Sequence, residues 1–127
     1  VVEPVNGFCT KADYAIFMSQ VNAFEKMITQ SGIRLVKIYM SITKKEQEKR
    51  FQEIQNNPLK QWKMTAVDKK AQELWDSYTE YKSKMFDHAD QNGVPWEIIN
   101  ANRKGLARIN SIEYLLKQIP YDKKRKV

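Results

Sequence analysis

Cysteine and histidine are almost missing from these 127 residues: Cys9 and His88 are the single copies of each. An internal disulfide framework and a multi-cysteine metal site are both excluded. Glycine is scarce, with 4 residues, and no GxxxxGK phosphate loop can be read in the chain. Cys9 and His88 have no evident partners for nucleophilic chemistry. His88, in a polar helix end, reads as a solvated side chain. No catalytic residue and no metal ligand is therefore assigned within this sequence. No apolar run approaches the roughly 20 residues that cross a bilayer, and no charged leader with an apolar centre is visible. The expectation is a cytoplasmic protein with no membrane partner. Acidic residues are also in deficit, 15 against 22 Lys and Arg, for a net charge of +7.

The chain is nonetheless 42% hydrophobic, with 3 Trp, 6 Tyr and 5 Phe, which is enough to fold and too much for disorder. The excess of basic charge points to an anionic partner: nucleic acid, nucleotide, acidic lipid or a phosphate polymer. A domain that is basic only for solubility satisfies the same observation.

Along the chain, Val1-Val2-Glu3-Pro4-Val5 looks extended. Thr10 reads as an N-cap with Asp13 in the first turn, and Tyr14, Phe17, Met18, Val21, Phe24, Met27 and Ile28 form one helical stripe closed by Ser31-Gly32. Residues 33–42 are dense in β-branched side chains and predict a strand buried on both faces. Thr43-Lys44-Lys45-Glu46 is a capping box opening a basic helix that stops at Asn56-Asn57-Pro58. A second long helix is predicted from about Thr65 to Asn92, then a short strand at 96–101. A last helix follows, capped by Asn102 and ending before Pro120. Lys123, Lys124, Arg125 and Lys126 lie in a basic tail, 122–127, which reads as a solubilising end or as a localisation-like or polymer-binding patch. The fold class is α/β, mostly helical, with two parallel strands. Two strands alone leave a sheet uncovered, so further strands are expected from sequence upstream of Val1.

The connection between the strands carries Lys44, Lys45, Lys49, Arg50, Lys60, Lys63, Lys69 and Lys70 within 27 residues. A lid closing over transferring phosphates needs such cations, because it neutralises phosphoryl oxygens in a water-poor site. A solvated helix face with Glu46, Glu48 and Glu53 as i,i+4 partners accounts for the same residues.

Several words of this sequence resemble the polyphosphate kinase 2 family. They are Val1 to Thr10, Phe24-Glu25-Lys26-Met27, Gly32-Ile33, Ile42 to Phe51, Asn57-Pro58-Leu59-Lys60-Gln61-Trp62-Lys63, Asp68, Trp75-Asp76-Ser77-Tyr78, Pro95-Trp96, Lys104 to Asn110 and Pro120-Tyr121. The resemblance runs in order over nearly the whole chain. It implies the C-terminal portion of a P-loop kinase-like, three-layer domain, with lid helices at about 44–90 and core strands at about 33–42 and 96–101. It implies phosphoryl transfer between inorganic polyphosphate and nucleotides (ADP/ATP or GDP/GTP, with AMP possible) using Mg²⁺. Homo-oligomers are implied, and nucleic acid is not the expected partner. The Walker loop and its Asp would precede Val1, leaving this portion inactive alone. Carried over by position, Lys44, Lys45, Arg50, Lys60 and Lys63 are the polyphosphate contacts, with Arg50, expected exposed, clamping phosphate bidentately. Trp62 is lid packing, and Asn102, Arg103 and Lys104 are nucleotide contacts. Three departures stand out: Ile54 and Gln55 where the lid often has another Arg, Thr65-Ala66 in place of Ser-Pro, and Arg103 at an acidic position. A non-catalytic basic helical module binding nucleic acid or protein is the competing reading.

Overall fold

A computed structural model describes residues 1–121, with all side chains in that span except those of 90–92. The basic tail lies outside the described residues. The order is α1 (Val2–Asn6), α2 (Lys11–Gln30), β1 (Lys37–Ser41), α3 (Lys44–Gln55), a 3₁₀ turn (Gln61–Lys63), α4 (Ala66–Ala71), α5 (Trp75–Asn92), β2 (Trp96–Asn100) and α6 (Lys104–Gln118). The predicted α/β class holds: β1 and β2 pair in parallel, from Lys37 opposite Trp96 to Ser41 opposite Asn100.

Pleat alternation sorts the strand residues between two layers of helix. On one face Tyr39 meets Phe86 of α5 edge to face at 5.2 Å, and Phe86 in turn meets Trp96 at 6.3 Å. On the other, Ile99 and Ala101 bury against Ala107 of α6, with Ile38 and Ile42 alongside. Helix α2 joins the first layer through Tyr14 and Tyr81, 5.2 Å apart. Helix α1 joins it by a hydrogen bond from Asn6 to the Tyr78 hydroxyl.

The start and finish of α2 are as its sequence predicts. Thr10 and Asp13 complete a capping box, and the two hydrogen bonds from Thr10 hold the Asp13 carboxyl below the usual aspartate range. Gly32, at φ 92°, takes the left-handed turn that ends the helix. Four other readings are corrected. Val2–Asn6 is helical and not extended, because Pro4 falls in the first turn, where no amide is needed, and Gly7 closes the turn at φ 70°. The first strand begins at Lys37 and not at Ile33. Register places Pro95 next beyond Trp96, and proline cannot donate to a ladder. The helix predicted from Thr65 to Asn92 is broken at Gln72–Leu74, where the Gln72 amide reaches across to Gln47 and the Lys44 carbonyl. Neither proline nor glycine forces that break. Asn102 does not cap α6, whose N-cap is Arg103 without a side-chain bond.

Burial on both strand faces is only partly met, since Met40 and Ile98 are about half exposed. Among the described residues the buried apolar set is Ala71, Ala89, Ile99, Ala101 and Ala107. Phe17, Phe24 and Met27 of α2 remain open, so that stripe is covered only in part.

The strongest tie is polar. Both Glu25 carboxylate oxygens lie 2.8 Å from Lys37 Nζ, and Oε2 also accepts from the Val94 amide at 3.2 Å. The side chains of Lys37 and Glu25 are only 9% and 10% exposed, so removing one partner strands the other's charge. Lys37 Nζ also lies 5.1 Å from the Trp96 ring centroid. Glu25→Ala is expected to lower unfolding free energy by about 3 kcal/mol in chemical denaturation. Glu25→Gln, which keeps acceptor and shape but removes the charge, is expected to lose nearly as much; a clearly smaller loss would rule out the ionic account.

Candidate functional site at the C-terminal ends of the strands

Parallel strands present their carboxyl ends together, and in open α/β sheets ligands bind in the crevice outside those ends. Here the ends are Ser41 and Asn100, and the Ala101 amide extends the ladder to the Ser41 carbonyl at 2.7 Å. Helix α3 starts three residues after β1 ends, and α6 four residues after β2 ends. Both helices therefore bring their N-termini to one edge of the sheet.

At that edge is an open cleft of about 380 Å³, lined by Thr43, Lys45, Glu46, Glu48, Lys49, Gln52 and Asn102. Thr43 caps α3, its hydroxyl accepting from the Glu46 amide at 3.2 Å. The return half of the predicted capping box is not made. Glu46 instead accepts from Arg50 Nε at 2.7 Å, and Thr43's amide donates to Asn102 Oδ1 at 3.0 Å. Arg50 Nη2 donates to the Ala101 carbonyl at 2.6 Å and to that of Asn102 at 3.4 Å. The Arg50 side chain is 21% exposed, which corrects the expectation of an exposed guanidinium. Its sequence neighbours gave no hint of this, because its carbonyl partners lie 51 and 52 positions away.

The other expected contacts divide by position. Lys45 and Asn102 line the cleft, while Lys44, Arg103 and Lys104 are exposed at the two helix starts. Lys60 and Lys63 are exposed beyond the far end of α3, a helix about 18 Å long. The structure therefore does not gather all five lid cations at one point. Lys49 lines the cleft and was not among the candidates; its i,i+4 spacing from Lys45 was the available signal. Trp62 is 78% exposed, its indole N–H bonded to the Leu59 carbonyl, and does not pack as expected against the described residues.

A larger cavity, about 630 Å³, opens at the opposite end of the sheet among Tyr14, Asn22, Glu25, Lys37, His88 and Trp96. Glu25 and Lys37 pair within it, Glu3 and Asp13 also line it, and it adjoins the first residues of both strands, the end of a parallel sheet that rarely holds ligands. His88 is half-buried there and not solvated: its Nε2 is buried and has no partner among the described residues. No helix among the described residues is long and apolar enough to cross a membrane.

A family model described as polyphosphate kinase 2 matches residues 1–127. The chain belongs to the polyphosphate kinase 2 family. It is 45% identical over 125 residues to NDP-polyphosphate phosphotransferase 2 of Ruegeria pomeroyi, covering 98% of this chain and 36% of that protein. It is 44% identical over 121 residues to ADP-polyphosphate phosphotransferase 2 of Rhizobium meliloti, covering 95% and 40%. It is 41% identical over 127 residues to GDP-polyphosphate phosphotransferase of Pseudomonas aeruginosa, covering 99% and 36%. The crystal structure of polyphosphate kinase 2 from Arthrobacter aurescens TC1 matches with a TM-score of 0.79 at 28% identity, covering 100% of this chain and 47% of that one. The chain thus spans less than half the length of these relatives.

Within this member of the polyphosphate kinase 2 family, Arg50 holds α3 to the end of β2. Arg50→Ala is expected to lower stability by about 1.5–3 kcal/mol, the range for hydrogen bonds to a charged group, read by chemical denaturation. Arg50→Lys is expected to recover only part, because one ammonium cannot reproduce the guanidinium's fork toward Glu46 and the carbonyl pair. Full recovery would contradict the bonding described.

Proposed function

We propose that this segment supplies a phosphate-gripping lid, at about 44–90, and one edge of the sheet to a phosphotransferase acting between inorganic polyphosphate and nucleoside mono- or diphosphates. The observation that carries the reading is the charge at two helix starts. Lys44 and Lys45 open α3, and Arg103 and Lys104 open α6, which has no acid in its first turn. A helix N-terminus is already the positive end of the dipole, so cations there are unfavourable unless an anion binds between them. Chain phosphates entering the cleft would meet two such termini and Lys49 as well. The names of the relatives, NDP-, ADP- and GDP-polyphosphate phosphotransferase, support the same substrate class.

In this reading Lys44 and Lys45 hold polymer at the strand ends, and Lys60 and Lys63 hold it farther along the lid. Arg50 joins them by exchanging the Ala101 and Asn102 carbonyls for phosphate oxygens, which are stronger acceptors. Arg103 and Lys104 serve the nucleotide's phosphates. Mg²⁺ would screen the phosphates in such a transfer. The described residues do not fit a site for it: no three His, Cys, Asp or Glu side chains come together, and Glu46 is bonded to Arg50. A cytoplasmic location and assembly into homo-oligomers belong to the same reading.

Anisotropy of a fluorescent polyphosphate chain tests it. Lys44→Ala/Lys45→Ala is expected to weaken binding about tenfold, or ~1.4 kcal/mol, and to flatten its salt dependence. Undiminished binding by that variant would sink the lid assignment. Duplex DNA binding as tightly as polyphosphate would favour a general basic module instead.

A further inference from the structure

The amide of Thr43 presents a problem that the sequence solves in an unexpected way. It stands outside the ladder of α3, so it needs an acceptor beyond the helix. A capping box would supply Glu46, but that carboxylate is drawn to Arg50. The acceptor is Asn102 Oδ1, 59 residues along the chain, at 3.0 Å. Asn102 is itself held: its amide donates to Asn100 Oδ1 at 3.0 Å, and its carbonyl and that of Ala101 receive Arg50. The bonds close a circuit from Thr43 to Glu46, Arg50, the β2–α6 turn and back to Thr43. It binds the first turn of α3 to the end of β2.

We propose that Asn102 is a positioning residue for the polyphosphate grip and not a nucleotide contact: through Thr43 it sets where Lys44 and Lys45 stand over the strand ends. This rests on the reading of α3 as part of a lid. What Asn102 contributes is an acceptor oxygen, and a carboxylate can contribute the same. A contact from Asn102 to the nucleotide's phosphate oxygens would have to use its donor, Nδ2, which aspartate lacks. The acceptor role and the donor role therefore respond oppositely to Asn102→Asp.

The test compares Asn102→Ala with Asn102→Asp in a full-length phosphotransferase containing this segment. In N102A, amide exchange at Thr43 is expected to quicken about tenfold, and the half-saturating polyphosphate concentration to rise about tenfold. The half-saturating nucleotide concentration is expected to stay within about twofold. In N102D, Thr43 is expected to keep its protection, because the acceptor is still there. Unchanged Thr43 exchange in N102A would overturn the tie itself. A nucleotide requirement that rises alike in both variants would overturn the positioning role in favour of direct contact. Exchange that responds as expected in a protein indifferent to polyphosphate would overturn the lid reading, so the two failures are told apart.

Discussion

A buried carboxylate organises the sheet. Glu25 sits on α2, Lys37 opens β1 and Val94 precedes β2, so one side chain brings together three segments far apart in the chain. Charges this well covered tolerate little misalignment, because each loses its hydration and has only the other in return. The pairing of Lys37 with Trp96 leaves the cation beside the indole ring, 5.1 Å from its centroid. Pro95 ends the ladder immediately beyond. Register, which a slip of one residue would invert on both faces, is therefore fixed at this end by chemistry as well as packing.

The two ends of the sheet hold their charges differently. At the amino ends of the strands Glu25 and Lys37 pair inside a cavity that Glu3 and Asp13 also line. At the carboxyl ends the cations outnumber their partners: Arg50 is bonded within the fold, while Lys44, Lys45, Arg103 and Lys104 are exposed beside helix dipoles of the same sign. The larger cavity lies at the first of these ends and the smaller cleft, lined by Lys45 and Lys49 with Glu46 and Glu48, at the second.

Much of the fold could be read in the sequence. The stripe from Tyr14 to Ile28, the Thr10 and Asp13 pair and the left-handed Gly32 define α2 through contacts within a few residues of one another, as do the end of α3 at Asn56 and of α6 before Pro120. The β-branched run placed β1 to within four residues of its true start. That error is instructive: Ile33 to Val36 have strand composition, and the limit comes from a proline on the partner strand. The break at Gln72–Leu74 has no local signature and coincides with a side chain reaching back to α3.

For the site, the sequence by itself determined the inventory: the basic residues, their clustering after a strand, the missing phosphate loop and the family. Charge and pattern are properties of the chain, readable without coordinates. Only the tertiary structure decided how those residues are employed. Arg50 and Asn102 are bonded within the fold, to carbonyls and an amide 51 to 59 residues away, and main-chain groups leave no trace in a sequence. Lys45 and Lys49 share the cleft, and Lys60 and Lys63 do not, because a helix about 18 Å long separates them. Whether a cation is free to meet a substrate depends on what else it can reach, and reach is set by the fold.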